Sequence, residues 1–195
     1  MITCIVFDVG NVLVNNGRFP QSLITNLAEL LATRSQPLLS RYRHLLPKLE
    51  ANQSPISSLL RRKVSPNLKK IYQKAAQKTF SLNEELFELA LKLKKDYQVG
   101  IVSNVDKYLA EIPLHQKVYR SFDPKLVVLS YQVGTRKPQE KIYHLFLKKS
   151  GCSPKNVLFI DNTRENVVTA RKLGMKGIVF KNNRQLKKEL TGYLT

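Results

Sequence analysis

Apolar positions along the chain fall into two kinds of run. Short, nearly continuous runs rich in Val and Ile occur at 4–9 (CIVFDV), 98–103 (QVGIVS), 125–130 (KLVVLS) and 156–161 (NVLFID), with a shorter one at 177–180 (GIVF). Such runs predict parallel strands covered by helices on both faces. Between them the apolar spacing becomes helical. NEELFELALKLKKDY begins at Asn83, a residue suited to an N-cap, and sets Leu86, Leu89, Ala90 and Leu93 on one face. KPQEKIYHLFLKKSG places Pro138 in a first turn and ends on Gly151. TRENVVTARKLGMKG carries Gly174 where a helix C′ residue takes positive φ. Alternating strands and helices predict an α/β fold: a Rossmann-like three-layer α/β/α core with a parallel sheet and right-handed crossovers.

Residues 17–85 break the alternation. No strand signal appears there. Helical stretches follow one another (QSLITNLAELLATRS, LLSRYRHLLPKLEAN, ISSLLRRKV, NLKKIYQKAAQKTF), separated by Pro37, Pro55 and Pro66. The expected organisation is a discontinuous core, 1–16 and 86–195, with an all-helical insertion at 17–85 directly after the first strand.

The chain has 195 residues, enough for one core domain plus a small insertion. Its 43% hydrophobic content is that of a globular protein. Cys4 and Cys152 show no metal-ligand spacing and no disulfide framework, which fits a reducing compartment; the expected location is cytoplasmic. Neither a signal peptide nor an 18-residue apolar run is present, so no membrane partner is expected. The formal charge is +19, from 33 Lys and Arg against 14 Asp and Glu. The 17–85 segment holds 12 basic and 4 acidic residues and is the more densely basic part. Such a balance attracts polyanions. The basic residues are scattered without a nucleic-acid-reading motif, so a general surface property is preferred to a nucleic-acid partner. The run at 61–63, RRK, reads as a solvated helix face.

Ligands of open α/β sheets bind beyond the carboxyl ends of the strands. Strand one ends on Asp8, strand two on Ser103 and Asn104, and the 156–161 strand on Asp161 and Asn162. Lys137 lies in the loop after strand three. Two carboxylates, a hydroxyl and an ammonium on one sheet edge fit a shared anionic ligand. An acid can act as a nucleophile where a cation offsets its charge. Paired carboxylates with backbone oxygen and water suit Mg²⁺.

These segments resemble the motifs of the haloacid dehalogenase superfamily: FDVGNVLV the first, GIVSN the second, VGTRKPQEKIY the third, and VLFIDNTRENVVTARKLGMKGIVF the fourth. The helical insertion resembles the small cap of one branch, and the DxGN form resembles a sugar-phosphatase-like group. The resemblance implies a Mg²⁺-dependent phosphatase acting on a small phosphorylated substrate, sugar phosphates among them, through an aspartyl phosphate. Asp8 would attack phosphorus. Asp8, the Gly10 carbonyl, Asp161 and Asn162 would hold the metal, with Asn166 supporting it through water. Ser103, the Asn104 amide and Lys137 would hold the phosphoryl oxygens.

Two positions depart from the pattern. Gly10 stands where such phosphatases carry a second Asp that protonates the leaving group, a contribution commonly worth about 10² to 10⁴ in rate. Asn162 stands where a second acid often follows the metal Asp. The expected consequences are a proton donor from elsewhere such as the cap, a leaving group that departs without a proton, or a slow or inactive enzyme, together with weaker Mg²⁺ binding than in a four-acid site. Metal-free dehalogenase chemistry fits less well, because its branch carries an aromatic residue at the Gly10 position. A contrasting expectation is a catalytically weak relative that binds nucleic acid or another polyanion through its basic surface. Arg41, Tyr42 and Arg43 are candidates to face the substrate, His144 reads as a packing or surface residue, Asp106 as a helix cap, and Asn11 as a residue shaping the first turn. Nothing in the sequence fixes the oligomeric state.

Overall fold

The computed structural model describes residues 1–32, 35–54, 56–59 and 67–194. The RRK run at 61–63 and the separators Pro55 and Pro66 lie outside the described residues. Among those described, strands are β1 (Cys4–Phe7), β2 (Val14–Asn15), β3 (Ser81–Leu82), β4 (Gln98–Ser103), β5 (Val127–Leu129), β6 (Val157–Asp161) and β7 (Lys176–Val179). The α-helices are α1 (Gln21–Leu30), α2 (Ser35–Glu50), α3 (Leu68–Thr79), α4 (Glu84–Leu93), α5 (Lys107–Ala110), α6 (Pro113–Arg120), α7 (Ser130–Val133), α8 (Glu140–Ser150), α9 (Arg164–Lys172) and α10 (Asn183–Leu190).

Five strands form the expected parallel sheet in the order β5-β4-β1-β6-β7. After β1 the chain builds one side with β4 and β5, then crosses to the other side for β6 and β7. The ends of β1, β4 and β6 therefore flank a topological switch point, the usual ligand crevice of such sheets. Side chains alternate along β1. Ile5 and Phe7 enter one apolar layer with Leu86, Phe87 and Ala90 of α4, Val118 of α6 and Leu186 of α10. Cys4 and Val6 enter the other with Ile142 and Phe146 of α8 and Val167 of α9. With both faces covered, every β1 side chain is apolar, which explains the unbroken run in the sequence.

The inserted segment differs in two respects from its expected form. It is not wholly strandless: β3 pairs antiparallel with β2, Val14 opposite Leu82 and Asn15 opposite Ser81. Two-residue strands are too short to show alternation, so this ribbon left no sequence signal. Nor does Pro37 separate helices. It sits in the first turn of α2, where its missing N–H costs no intrahelical bond. Helices α1, α2 and α3 pack together through Leu23, Ile24 and Leu27, Leu38 and Leu39, and Tyr72 and Ala75.

Several helix ends follow local chemistry. Gly151 and Gly174 take positive φ after α8 and α9. Asp106 caps α5, its Oδ1 accepting from the amides of Tyr108 and Leu109. Pro138 precedes α8 rather than opening it. The helix starts at Glu140, and the Gln139 side chain closes the turn by accepting from Thr135 Oγ1 at 2.7 Å and Arg136 N at 3.2 Å.

Candidate active site

Asp8 directly follows β1, and its amide donates to the Ile160 carbonyl of β6. This bond holds its carboxyl beside Asp161, the last residue of β6. Lys137 reaches between them. Its Nζ donates to Asp8 Oδ1 at 2.7 Å and to Asp161 Oδ2 at 2.6 Å. All three groups are buried, Lys137 at 1% exposure and Asp161 at 0%. The ring of Phe159 lies 5.6 Å from the ammonium. A buried charge is costly unless it is paired, and here one cation serves two anions. Burial works against the ammonium, but Asp161 and Asp8 outweigh it and raise its pKa. Burial pushes Asp8 up to about 6, opposed by Lys137 and reinforced by Asp161.

Neighbouring residues fix these three. Asn104 clasps the Lys137 backbone from both sides, Nδ2 donating to its carbonyl at 2.9 Å and Oδ1 accepting from its amide at 2.8 Å. The Asn104 side chain is thus occupied in placing the lysine, and its backbone amide is the part left for an anion. Asp161 Oδ1 accepts from the Thr163 amide at 2.8 Å. Asn166 donates to both Asp161 oxygens, at 3.1 and 3.0 Å. Asn162 is half-buried beside Asp161 and makes no side-chain hydrogen bond to this group. Ser103, 2% exposed, ends β4 and shares a cavity of about 40 Å³ with Gly10, Asn104 and Glu50.

The first turn is set by Asn11, which takes φ of 55° and whose Oδ1 accepts from the Asn16 amide at 3.1 Å. Asn16 fills the space that a side chain at position 10 would use, its Nδ2 lying 2.8 Å from where a Cβ would stand. The Gly10 carbonyl oxygen accepts no hydrogen bond from the described residues. With the carboxylates of Asp8 and Asp161 it offers a set of hard oxygen donors. Among the described residues no group of three or more His, Cys, Asp or Glu side chains gathers to hold a metal. A two-carboxylate, one-carbonyl set suits an ion that keeps several waters, such as Mg²⁺.

Some residues near the cavity were not legible in the sequence. Glu50, the last residue of α2, lines it at 6% exposure. His115 also lines it, stacked on Tyr119, with Nδ1 2.7 Å from the Leu109 carbonyl. Burial depresses the imidazole to about 4. Tyr42 does not face a ligand. It is wholly buried, its hydroxyl bonded to that of Tyr72. No helix among the described residues is long and apolar enough to cross a membrane.

Comparison with known proteins bears on the family and the fold. A 30% identical stretch of 107 residues, 52% of each chain, matches the D-ribitol-5-phosphate phosphatase of Bacteroides thetaiotaomicron, so the match spans about half of that relative. The structure of a predicted HAD-like family hydrolase from Porphyromonas gingivalis superposes with a TM-score of 0.80 at 25% identity, covering 100% of this chain and 98% of the other. A HAD family enzyme from B. thetaiotaomicron, crystallised with magnesium and inorganic phosphate, has the same fold: TM-score 0.74, 21% identity, 95% and 99% covered. The family model described as haloacid dehalogenase-like hydrolase matches residues 5–180, nearly the whole chain, and the protein belongs to that family.

Proposed function

We propose that the protein is a Mg²⁺-dependent phosphatase of small phosphorylated metabolites, working through a phosphorylated Asp8. The observation that carries this reading is the buried Asp8–Lys137–Asp161 bridge at the carboxyl ends of β1 and β6. A lone nucleophilic acid would be neutralised by burial. Lys137 keeps it charged and aims it. Helices α1, α2 and α3 act as a cap over the strand ends, with the β2–β3 ribbon at its root.

Asp8, Asp161 and the Gly10 carbonyl would hold Mg²⁺, which when bound supplies positive charge to the phosphoryl group. Asp8 attacks phosphorus in line with the leaving oxygen. Ser103 and the Asn104 amide hold the other phosphoryl oxygens, and Lys137 offsets charge as it shifts among them. Water then cleaves the acyl phosphate and frees Asp8. Asn166 and Thr163 hold Asp161 in place throughout. The named activity of the B. thetaiotaomicron relative makes sugar-alcohol and sugar phosphates the first substrates to screen.

The test is hydrolysis of p-nitrophenyl phosphate with and without Mg²⁺, then of a panel of sugar phosphates. Metal-dependent turnover that disappears in Asp8→Asn supports the reading. An inert protein retained on heparin in a salt-sensitive way would favour a polyanion-binding relative instead, the reading to which the +19 charge lends weight.

A further inference from the structure

A phosphate monoester with an alkyl leaving group needs a proton as its P–O bond breaks, and Gly10 has no side chain to give one. The residues around the cavity narrow the choice of donor. Asn16 occupies the space beside Gly10, but an amide has no proton of useful acidity. His115 points Nδ1 at a carbonyl, which can only accept. Its proton is therefore on Nδ1, and Nε2 carries a lone pair. The Lys137 ammonium is held by two carboxylates and has to stay charged.

Glu50 remains. It is the C-terminal residue of the 16-residue helix α2 and is buried, yet it lines the same cavity as Gly10, Ser103 and Asn104. Arg136, the residue before Lys137, fixes it. Both its Nε, at 2.8 Å, and its Nη2, at 2.7 Å, meet a single oxygen, Oε2. Oε1 has no hydrogen-bond partner among the described residues. One half of the carboxyl is anchored to the turn that carries the lysine, and the other half is free. We propose that Glu50 is the general acid and base of the reaction, delivered by the cap in place of the missing acid at position 10.

This inference rests on the phosphatase reading. In the first half-reaction Asp8 forms the new O–P bond, the ester P–O bond breaks, and the leaving oxygen takes the proton from Glu50 Oε1. The alcohol departs and Glu50 is left as a carboxylate. In the second, that carboxylate takes a proton from the attacking water, phosphate leaves Asp8, and Glu50 is again protonated. Charge and protons balance over the cycle.

The environment suits the role. Burial raises the carboxyl to about 7, opposed by Arg136, helped by Asp106 and opposed by Lys137. The negative end of α2 acts in the same direction as burial. Of the other titratable and charged groups nearby, Arg41, Tyr42, Arg43, His44 and Lys48 are on the same helix, His115 lines the same cavity, and α1 and α7, which pack on α2, carry exposed Glu29 and half-buried Tyr131.

The experiment compares kcat/KM of wild type and Glu50→Gln on two esters, p-nitrophenyl phosphate and an alkyl phosphate such as glycerol phosphate. A phenolate departs without a proton and an alkoxide does not. The expected loss is about 10² to 10⁴ on the alkyl ester and less than about tenfold on the aryl ester. In wild type, kcat/KM on the alkyl ester should fall on the alkaline side with a midpoint near 7, and that limb should vanish in the variant. Equal losses on both esters, or none, would overturn the assignment while leaving the phosphatase reading intact. A wild-type protein inert toward every ester overturns both. Should Glu50→Gln fail to melt cooperatively, Arg136→Gln decides. Losing the cation has to move the alkaline limb to higher pH, and an unmoved limb refutes the role.

Discussion

At the scale of single residues, the central question is what two buried acids need. Asp8 and Asp161 share one ammonium, and removing it leaves two uncompensated carboxylates. Breaking a buried pair in this way typically costs about 3 kcal/mol or more. Lys137→Met should therefore melt roughly 6–12 °C below wild type in metal-free buffer, as read by calorimetry. An unchanged midpoint would show that the acids do not depend on the lysine. His115 gives a second prediction, with a defined sign. Its folded pKa, about 4, lies below the ordinary histidine value, so the unfolded chain binds the extra proton. Its contribution is complete above pH 6.5 and is lost as pH falls toward 4, amounting to about 3 kcal/mol at roughly 1.4 kcal/mol per unit. His115→Gln should lose correspondingly less stability than wild type between pH 7 and pH 4 in urea titrations. The two cases differ in legibility. Asp8, Ser103 and Asp161 each end an apolar run, and Lys137 lies in a motif-like turn, so the sequence displays them. His115 and Glu50 acquire meaning only from partners supplied by other elements, Glu50 from an arginine 86 residues away.

At the scale of elements, the inserted helices have to be tied to the sheet by something stronger than the two-residue ribbon. A buried chain of hydroxyls makes the tie. Tyr72 of α3 donates to Asp106 Oδ2 at 2.8 Å, so the proton between the two tyrosines, 2.9 Å apart, comes from Tyr42 of α2. Asp106 spends its other oxygen on the α5 cap. One carboxylate, at the N-cap of α5 just beyond β4, thus holds α2 and α3 of the inserted segment. Tyr72→Phe removes a bond to a buried charged acceptor and orphans the Tyr42 hydroxyl, about 2–3 kcal/mol together. The midpoint should drop roughly 4–12 °C, and amide exchange should quicken in α2 and α3 before the sheet. A shift below about 2 °C would mean that the chain does not pin the cap. Elements were legible where the hydrophobic pattern repeats often enough to be counted. Sheet strands with both faces covered, and helices with three or more buried turns, meet that condition. The ribbon does not, and α10, an eight-residue helix that buries only Leu186 and Leu190, offers too few apolar positions to stand out. Asn83 shows the limit of cap chemistry. It stands at the N-cap of α4, yet its amide donates to the Val12 carbonyl and to Asn183, bracing the root of the ribbon instead of the helix.

At the scale of the whole molecule, the site and the surface have opposite signs. Two carboxylates and one ammonium leave the bridge with a net charge of −1, which repels a phosphate dianion before any cation is counted. The chain as a whole carries +19. Its summed field draws anions toward the surface and raises their local concentration at a cleft, an effect independent of any contact to the substrate. Such a field is screened within about 10 Å at 0.1 M salt, whereas the buried bridge is screened little. The two contributions can therefore be separated by salt alone. Raising NaCl from about 20 mM to about 0.5 M, at fixed free Mg²⁺, should increase KM for a dianionic ester several-fold and leave kcat nearly constant. An ester that binds as a monoanion should show a smaller rise. If the positive surface serves instead to hold a polyanion, KM for small esters will be flat with salt while retention on heparin falls steeply, because each released counterion adds to the slope.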